Sequence, residues 1–208
     1  VPKHIADSTV RRLSLYLQCL EDARQRGSTT ISSDALARLG RTTSAQIRHD
    51  LAIFGSFGRR GLGYPVPELV AHLREILGLN REWRVVVIGA GRIGSALAQF
   101  PGFADRGFTI VGVYDNDPRK IGRRWDGHPI RDIATLAADA SREHHDIAVL
   151  AVPVDRAQAI AELVVATGMT AILNFAPVPL HVPAGVTVNT VNMTMELERL
   201  SYALAHRR

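Results

Sequence analysis

The apolar run Val85 to Ile88 leads directly into glycines at 89, 91 and 94, and a helix opens within that turn. This strand, glycine turn and helix constrain the chain more than any other segment. The first glycine permits a tight turn and the second lets backbone approach a pyrophosphate. The third lets the helix pack closely on the strand. A lone glycine triplet of this spacing recurs by chance, but one placed after a strand and at a helix start is the dinucleotide-binding context. Gly89, Ala90, Gly91, Arg92, Ile93 and Gly94 are therefore candidate cofactor-binding residues, with helix N–H groups facing the phosphates.

A second strand, Thr109 to Tyr114, ends at Asp115, 21 residues beyond Gly94. An acid at that place can accept hydrogen bonds from both hydroxyls of an adenosine ribose, which favours NAD over NADP. Arg119 and Lys120 stand nearby, but the Asp115 carboxylate repels a 2′-phosphate at close range. Strands follow at Ile147 to Val152, Ala171 to Phe175 and Val186 to Val191, with a helix from about Asp155 to Thr167. This alternation predicts an α/β fold with a Rossmann-type, doubly wound parallel sheet. Pro153 and the turn Asn174 to Pro177 sit at strand ends, the edge where such sheets hold the nicotinamide half of a ligand or where the chain is simply punctuated. Pro153 is included among the cofactor-binding candidates.

The 208 residues allow one domain or two small ones. With 46% hydrophobic and 22% charged residues, the chain has the makings of a packed core. Its longest apolar runs fall short of a bilayer span and its polar beginning lacks a signal peptide's apolar stretch, so a cytoplasmic protein is expected. Cys19, the single cysteine, lies at helical spacing from Leu13, Tyr16, Leu17 and Leu20 and is expected to pack rather than to pair or bind metal. Residues 1–78 hold eleven Lys/Arg against seven Asp/Glu, a net +4, whereas the remainder holds fourteen against thirteen, a net +1. The excess is nearly all arginine, the better reader of phosphates and base edges.

Within 1–78, Val10, Leu13, Leu17 and Leu20 define a helix stopped by Gly27. Ser33 is expected to cap a short helix bearing Leu36 and Leu39; Gly40 breaks it, and Thr43 opens another from Ser44 to Phe54. Two short helices at a glycine turn have the spacing of a helix-turn-helix. An inward stripe of Ile47, Leu51 and Phe54 turns Ser44, Ala45, Gln46, Arg48 and His49 outward as candidate DNA contacts. Gln46 has a second reading, because Thr43 and Gln46 have the spacing of a capping box. Glycines 55, 58, 61 and 63 then surround Arg59 and Arg60 in what reads as a short hairpin. Such a hairpin after a recognition helix is a wing, and arginine gains from the potential of a narrow minor groove. A helix from Pro67 to Leu77, closed by Gly78, completes a winged-helix domain.

The alternatives are a small NAD-dependent oxidoreductase and a CoA-binding Rossmann module. Little chain remains after the sheet for a substrate domain, and His128, His144, His145 and His181 lie in loops without a paired carboxylate or metal-ligand spacing. All four are expected at the surface, and no enzyme activity is expected.

Three strings, residues 42–66 (TTSAQIRHDLAIFGSFGRRGLGYPV), 85–103 (VVVIGAGRIGSALAQFPGF) and 172–183 (ILNFAPVPLHVP), together resemble the Rex family of redox-sensing transcriptional repressors. The likeness covers nearly the whole chain. It implies a homodimer with a winged-helix domain at 1–78, an NAD(H)-binding domain at 79–191 and a C-terminal helix at 192–208 exchanged between subunits. It also implies binding to palindromic operator DNA, with release when NADH rises relative to NAD. In many relatives an arginine of the first helix pairs across subunits with an aspartate just before the exchanged helix, next to an aromatic residue. Gln18, Asn192 and Met193 stand at those three places here, and Phe100 at a position often held by tyrosine. A neutral amide pair contributes less than a charge-assisted one, so the response to NADH is expected to be altered.

Overall fold

The computed structural model describes residues 5–59, 61–125 and 127–206. The chain divides into two compact units, Val1–Arg81 and Glu82–Arg208.

In the first unit the helices are α1 (Asp7–Gln25), α2 (Ser33–Leu39), α3 (Ser44–Ala52) and α4 (Val66–Ile76), and two-residue strands β1 (Thr30–Ile31) and β2 (Tyr64–Pro65) pair antiparallel. Leu13, Tyr16, Leu17 and Leu20 of α1 are buried with Leu36, Ile47, Leu51, Leu69, Val70 and Leu73, as helical spacing requires. Cys19 joins this core, and burial followed by the neighbouring Asp22 charge pushes its thiol pKa up. Val10 falls off the inward stripe and is 38% exposed, while Thr9, one turn before Leu13, takes the buried place. Ser32, not Ser33, caps α2: its side chain accepts from the Ala35 N–H at 3.1 Å.

One polar side chain stands inside this core. Asp50 of α3 is fully buried and accepts from Arg12 through both oxygens (2.6 and 2.8 Å), from the Tyr16 hydroxyl at 2.9 Å and from the Gln46 amide at 2.8 Å. A buried carboxylate is tolerated only when so satisfied. Burial raises its pKa, but the donors from Arg12, Gln46 and Tyr16 outweigh that and hold it below the ordinary carboxylate range. The predicted hairpin is reduced to a tight loop in which Arg59 and Gly63 exchange backbone hydrogen bonds at 2.8 and 3.1 Å. Gly63 adopts φ +81°, and a side chain there would run into the Ile31 carbonyl.

The second unit holds the strands β3 (Trp83–Ile88), β4 (Phe108–Asp115), β5 (Arg124–Trp125), β6 (His128–Asp132), β7 (Ile147–Leu150), β8 (Ala171–Asn174) and β9 (Thr187–Thr190), in the order β5-β6-β4-β3-β7-β8-β9. All pairs are parallel except β5 with β6. The helices are α5 (Arg92–Ala98), α6 (Leu136–Ala140), α7 (Val154–Ala166) and α8 (Met193–Ala205). Two apolar clusters form its core, one including Val86, Ile88, Leu150 and Ala161, the other Val85, Val87, Val113 and Val149. Alternate residues of β3 thus feed opposite faces of the sheet, as doubly wound packing demands. The β5–β6 hairpin extends the sheet beyond the strands read from periodicity.

His128 is half-buried, His144 and His181 are exposed, and His145 is 5% exposed. The last corrects the surface expectation: the loop leading into β7 folds the ring inward, neither nitrogen has a hydrogen-bond partner, and burial lowers its pKa.

Asp50→Asn is expected to destabilise the protein by about 2 kcal/mol at neutral pH, since it removes a charge-assisted hydrogen-bond set from a buried site. Because the folded-state pKa is depressed, that contribution is present above the unfolded carboxylate pKa and vanishes as pH falls through the folded value. Urea unfolding of both proteins from neutral pH to below pH 3 checks this: the two curves should converge in acid.

Candidate functional site

The crevice of an open parallel sheet lies beyond the carboxyl ends of its strands, where strand order reverses. Here the chain passes from β3 to β4 on one side and returns to β7 on the other. At that point a cavity of about 760 Å³ is lined by Gly89, Gly91, Arg92 and Ile93 of the glycine turn. Asp115, Asn116, Asp117 and Lys120 after β4, Ile133, and Val152, Pro153, Arg156, Ala159 and Ile160 at α7 also line it.

The three glycines have separable roles. Gly89 has φ +104° and a side chain there would strike the Ala151 carbonyl. A Cβ on Gly91 meets nothing within 4 Å, so this turn is open toward the cavity. A Cβ on Gly94 would collide with the Gly89 carbonyl oxygen, so α5 lies directly on the turn it follows. Gly94 is therefore buried and does not line the cavity. Ala90 does not line it either: its N–H donates to Asp115 Oδ2 at 2.6 Å. Both residues hold the turn in shape, and the cavity wall falls to their neighbours.

Asp115 is 6% exposed at the end of β4. Its Oδ1 accepts from the Asp117 N–H at 2.8 Å and its Oδ2 from Lys120 Nζ at 2.9 Å as well as from Ala90. Burial works against the carboxylate, but the Asp117 amide, Lys120 and the Ala90 amide together lower its pKa, keeping it charged. Arg119 forks onto Asp117 at 3.0 and 2.9 Å. Both cations near the ribose position are thus engaged by acids. Pro153 lines the cavity, whereas the Asn174 side chain closes its own turn on the Ala176 and Val178 carbonyls.

In the first unit, α3 presents Ala45, Arg48 and His49 exposed, with Ser44 and Gln46 half-buried. Thr43 caps the helix by accepting from the Gln46 N–H at 3.1 Å. The Gln46 amide does not return to complete a capping box; it donates to Asp50 instead. Arg48 reaches Ser33 Oγ at 2.9 Å, tying α3 to α2. Arg59 is exposed on the tight loop, and Arg60 lies outside the described residues. Asp50 was missed although it stands three residues after Ile47, on the inward side of α3 with Leu51.

Of the remaining candidates, Gln18 is exposed on α1. Phe100 is 56% exposed and meets Phe103 edge-on at 5.2 Å. Asn192 caps α8, its Oδ1 accepting from the Thr194 and Met195 N–H groups. Met193 is 68% exposed. Among the described residues no cluster suited to a metal ion occurs, and no helix is long and apolar enough to cross a membrane.

Comparison with known proteins decides between the readings. Residues 4–52 match a family described as putative DNA-binding protein N-terminus, and residues 80–178 one described as CoA binding domain. The redox-sensing transcriptional repressor Rex of Carboxydothermus hydrogenoformans is 46% identical over 95% of this chain and 95% of its own. This chain belongs to the Rex family. Rex of Thermus aquaticus is 44% identical over 96% of this chain and 94% of its own. The crystal structure of RSP in complex with β-NAD+ and operator DNA matches with a TM-score of 0.92 and 36% identity, covering 98% of this chain and 94% of that one. RSP in complex with β-NADH matches at 0.89 and 34%, covering 98% and 95%. Rex proteins are transcriptional repressors, not enzymes, which sets aside the oxidoreductase reading. The CoA-binding description spans only the sheet, whereas the Rex likeness spans both units.

Gly94→Ala is expected to destabilise the Glu82–Arg208 unit by about 3 kcal/mol, because backbone cannot yield to the added methyl. Gly91→Ala, facing open space, should cost less than about 1 kcal/mol. Thermal unfolding of the two variants beside the parent checks this contrast.

Proposed function

We propose that this Rex protein is a homodimeric, cytoplasmic repressor that binds palindromic operator DNA and releases it when NADH rises relative to NAD+. The observation that carries the reading is the presence in one Rex-like chain of an arginine-bearing exposed helix face and a glycine-turn cavity with a charged acid at the ribose position. In it Arg48 and His49 contact bases and phosphates, with Ser44 at the helix start, while Arg59 and Arg60 enter the minor groove. Gln46 serves from its position on Asp50. NAD(H) lies in the cavity on Gly89, Gly91, Arg92, Ile93, Asp115 and Pro153. Domain roles follow the division at 78 and 191, with the terminal helix exchanged between subunits. Supporting that exchange, α8 has no buried residue, and Met193, Leu197, Leu200 and Leu204 are each more than 60% exposed. An apolar stripe of that kind is stable in water only against another surface.

Release by NADH requires that it bind the released dimer better than the DNA-bound one. A 100-fold loss of operator affinity corresponds to about 2.7 kcal/mol of coupling, and operator DNA must weaken NADH binding equally. Gln18, Asn192, Met193 and Phe100 set how sharply NADH is distinguished from NAD+. Asn192 Oδ1 is occupied by two helix amides, which leaves its Nδ2 to donate to the partner subunit's Gln18, a neutral hydrogen bond weaker than an ion pair.

Gel-shift of a palindromic duplex with NADH, with NAD+ and without nucleotide, at one ionic strength, tests the reading. Retention should fall with NADH and persist with NAD+; equal retention in all three lanes would reject it. Gly91→Ala, which folds but places a methyl where the pyrophosphate would lie, should bind operator yet lose the response. Restoring the ion pair with Gln18→Arg and Asn192→Asp together should widen the gap between the NADH concentration and the NAD+ concentration that give equal release of the duplex.

A further inference from the structure

The charged groups lining the cavity are not equally free. Asp115 is satisfied by two backbone amides and Lys120, and Asp117 by Arg119. Those acids and the cations on them cancel. Two lining cations stand outside this set, Arg92 at the start of α5 and Arg156 in the first turn of α7. Arg156 has one described ion-pair contact, Nε to Oδ2 of its neighbour Asp155 at 3.3 Å, with both side chains about 70% exposed. An exposed pair of that length contributes little and is easily exchanged.

The position of Arg156 on its helix is equally specific. Val152, Pro153, Arg156, Ala159 and Ile160 line the cavity at three- and four-residue spacing, so one face of α7 with the turn before it forms a continuous wall. Ile160 and Ile133 make that wall apolar away from the glycine turn, suited to a purine. Arg156, one turn earlier on the helix, interrupts it with a guanidinium. A guanidinium fork matches phosphate oxygens in geometry as well as charge.

We propose that Arg156 binds the pyrophosphate of the dinucleotide from the α7 wall, sharing its two negative charges with the glycine turn and Arg92. This rests on reading the cavity as the NAD(H) site. The pyrophosphate is the same in NAD+ and NADH, so Arg156 tightens both forms by one factor and leaves their ratio alone. It sets the dinucleotide concentration at which the protein is filled, separately from the residues that sense oxidation state. Asp155 opposes it by holding the guanidinium and adding a like charge to the ligand's.

Calorimetric titration of the full chain with NAD+, NADH, ADP and adenosine tests this. Arg156→Gln should weaken NAD+, NADH and ADP each about tenfold, as loss of a charge-assisted contact predicts, with adenosine unchanged. Asp155→Asn should tighten the same three about twofold, and Arg156→Lys should retain most of the parent affinity. Parent-like affinity for ADP in Arg156→Gln overturns the proposal, and so does an equal loss for adenosine, which would make the contact one to the purine. Failure of the unaltered protein to bind either dinucleotide would instead strike down the cavity reading itself, and that titration is read before any variant.

Discussion

At Gly94 a helix rests on the turn that precedes it with no room for one methyl group. That approach brings the start of α5 beside the ends of β3 and β4, and so makes one locus of the glycine turn and the Asp115 carboxylate. The hydrogen bond from Ala90 to Asp115 closes the same joint from the other side. The acid we propose for a ribose is thereby also a brace for the glycine turn. Burial opposes its charge, but the Asp117 amide, Lys120 and the Ala90 amide together lower its pKa, so the carboxylate is charged before any ligand arrives.

The N-terminal unit solves a similar problem with different means. Short helices such as α2 and α3 are marginal alone and must be fixed by packing. Ile47 and Leu51 seat α3 in the core, but apolar contacts alone leave rotation about the helix axis weakly defined. Asp50, gripped by Arg12 and Tyr16 of α1, defines it, because hydrogen bonds are directional where dispersion is not. The face bearing Ala45, Arg48 and His49 is thereby aimed by residues that never reach it.

How much of this could be read from the residues depended on the length scale of the signal. Helix α7, the strand entering the glycine turn and Asp115 follow from local periodicity and spacing. The hairpin of β5 and β6 did not, since Arg124–Trp125 and His128–Asp132 carry charges and a proline around a single buried Ile130 instead of an apolar run. His145 was hidden because a loop path buries it and leaves no local trace, whereas Asp50 stood at an inward spacing whose meaning depended on distant partners, Arg12 and Tyr16. Within the glycine motif the sequence marks six residues alike, while the structure separates the four that line the cavity from Ala90 and Gly94, which shape it. Arg156 lay beyond reach of the motif, yet its three-residue offset from Pro153 was a usable sign once α7 was known to bound the crevice.

A redox sensor must place its discriminating contacts where the two forms of its ligand differ. Oxidised and reduced nicotinamide differ by one positive charge and the shape of a single ring, far from the ribose that Asp115 would hold. The charge pairs at the β4 end of the cavity, Asp115 with Lys120 and Asp117 with Arg119, therefore anchor but cannot discriminate. On the proposed reading, discrimination would fall to groups at the other end of the ligand and to the surface that the dimer would rearrange. The uncovered stripe of α8 begins at Met193 and its first turn is capped by Asn192, so an apolar, uncharged element introduces that helix. In the dimer we propose, such an element facing the nicotinamide would favour the neutral ring through desolvation of the charged one, without any ion pair to reinforce the choice.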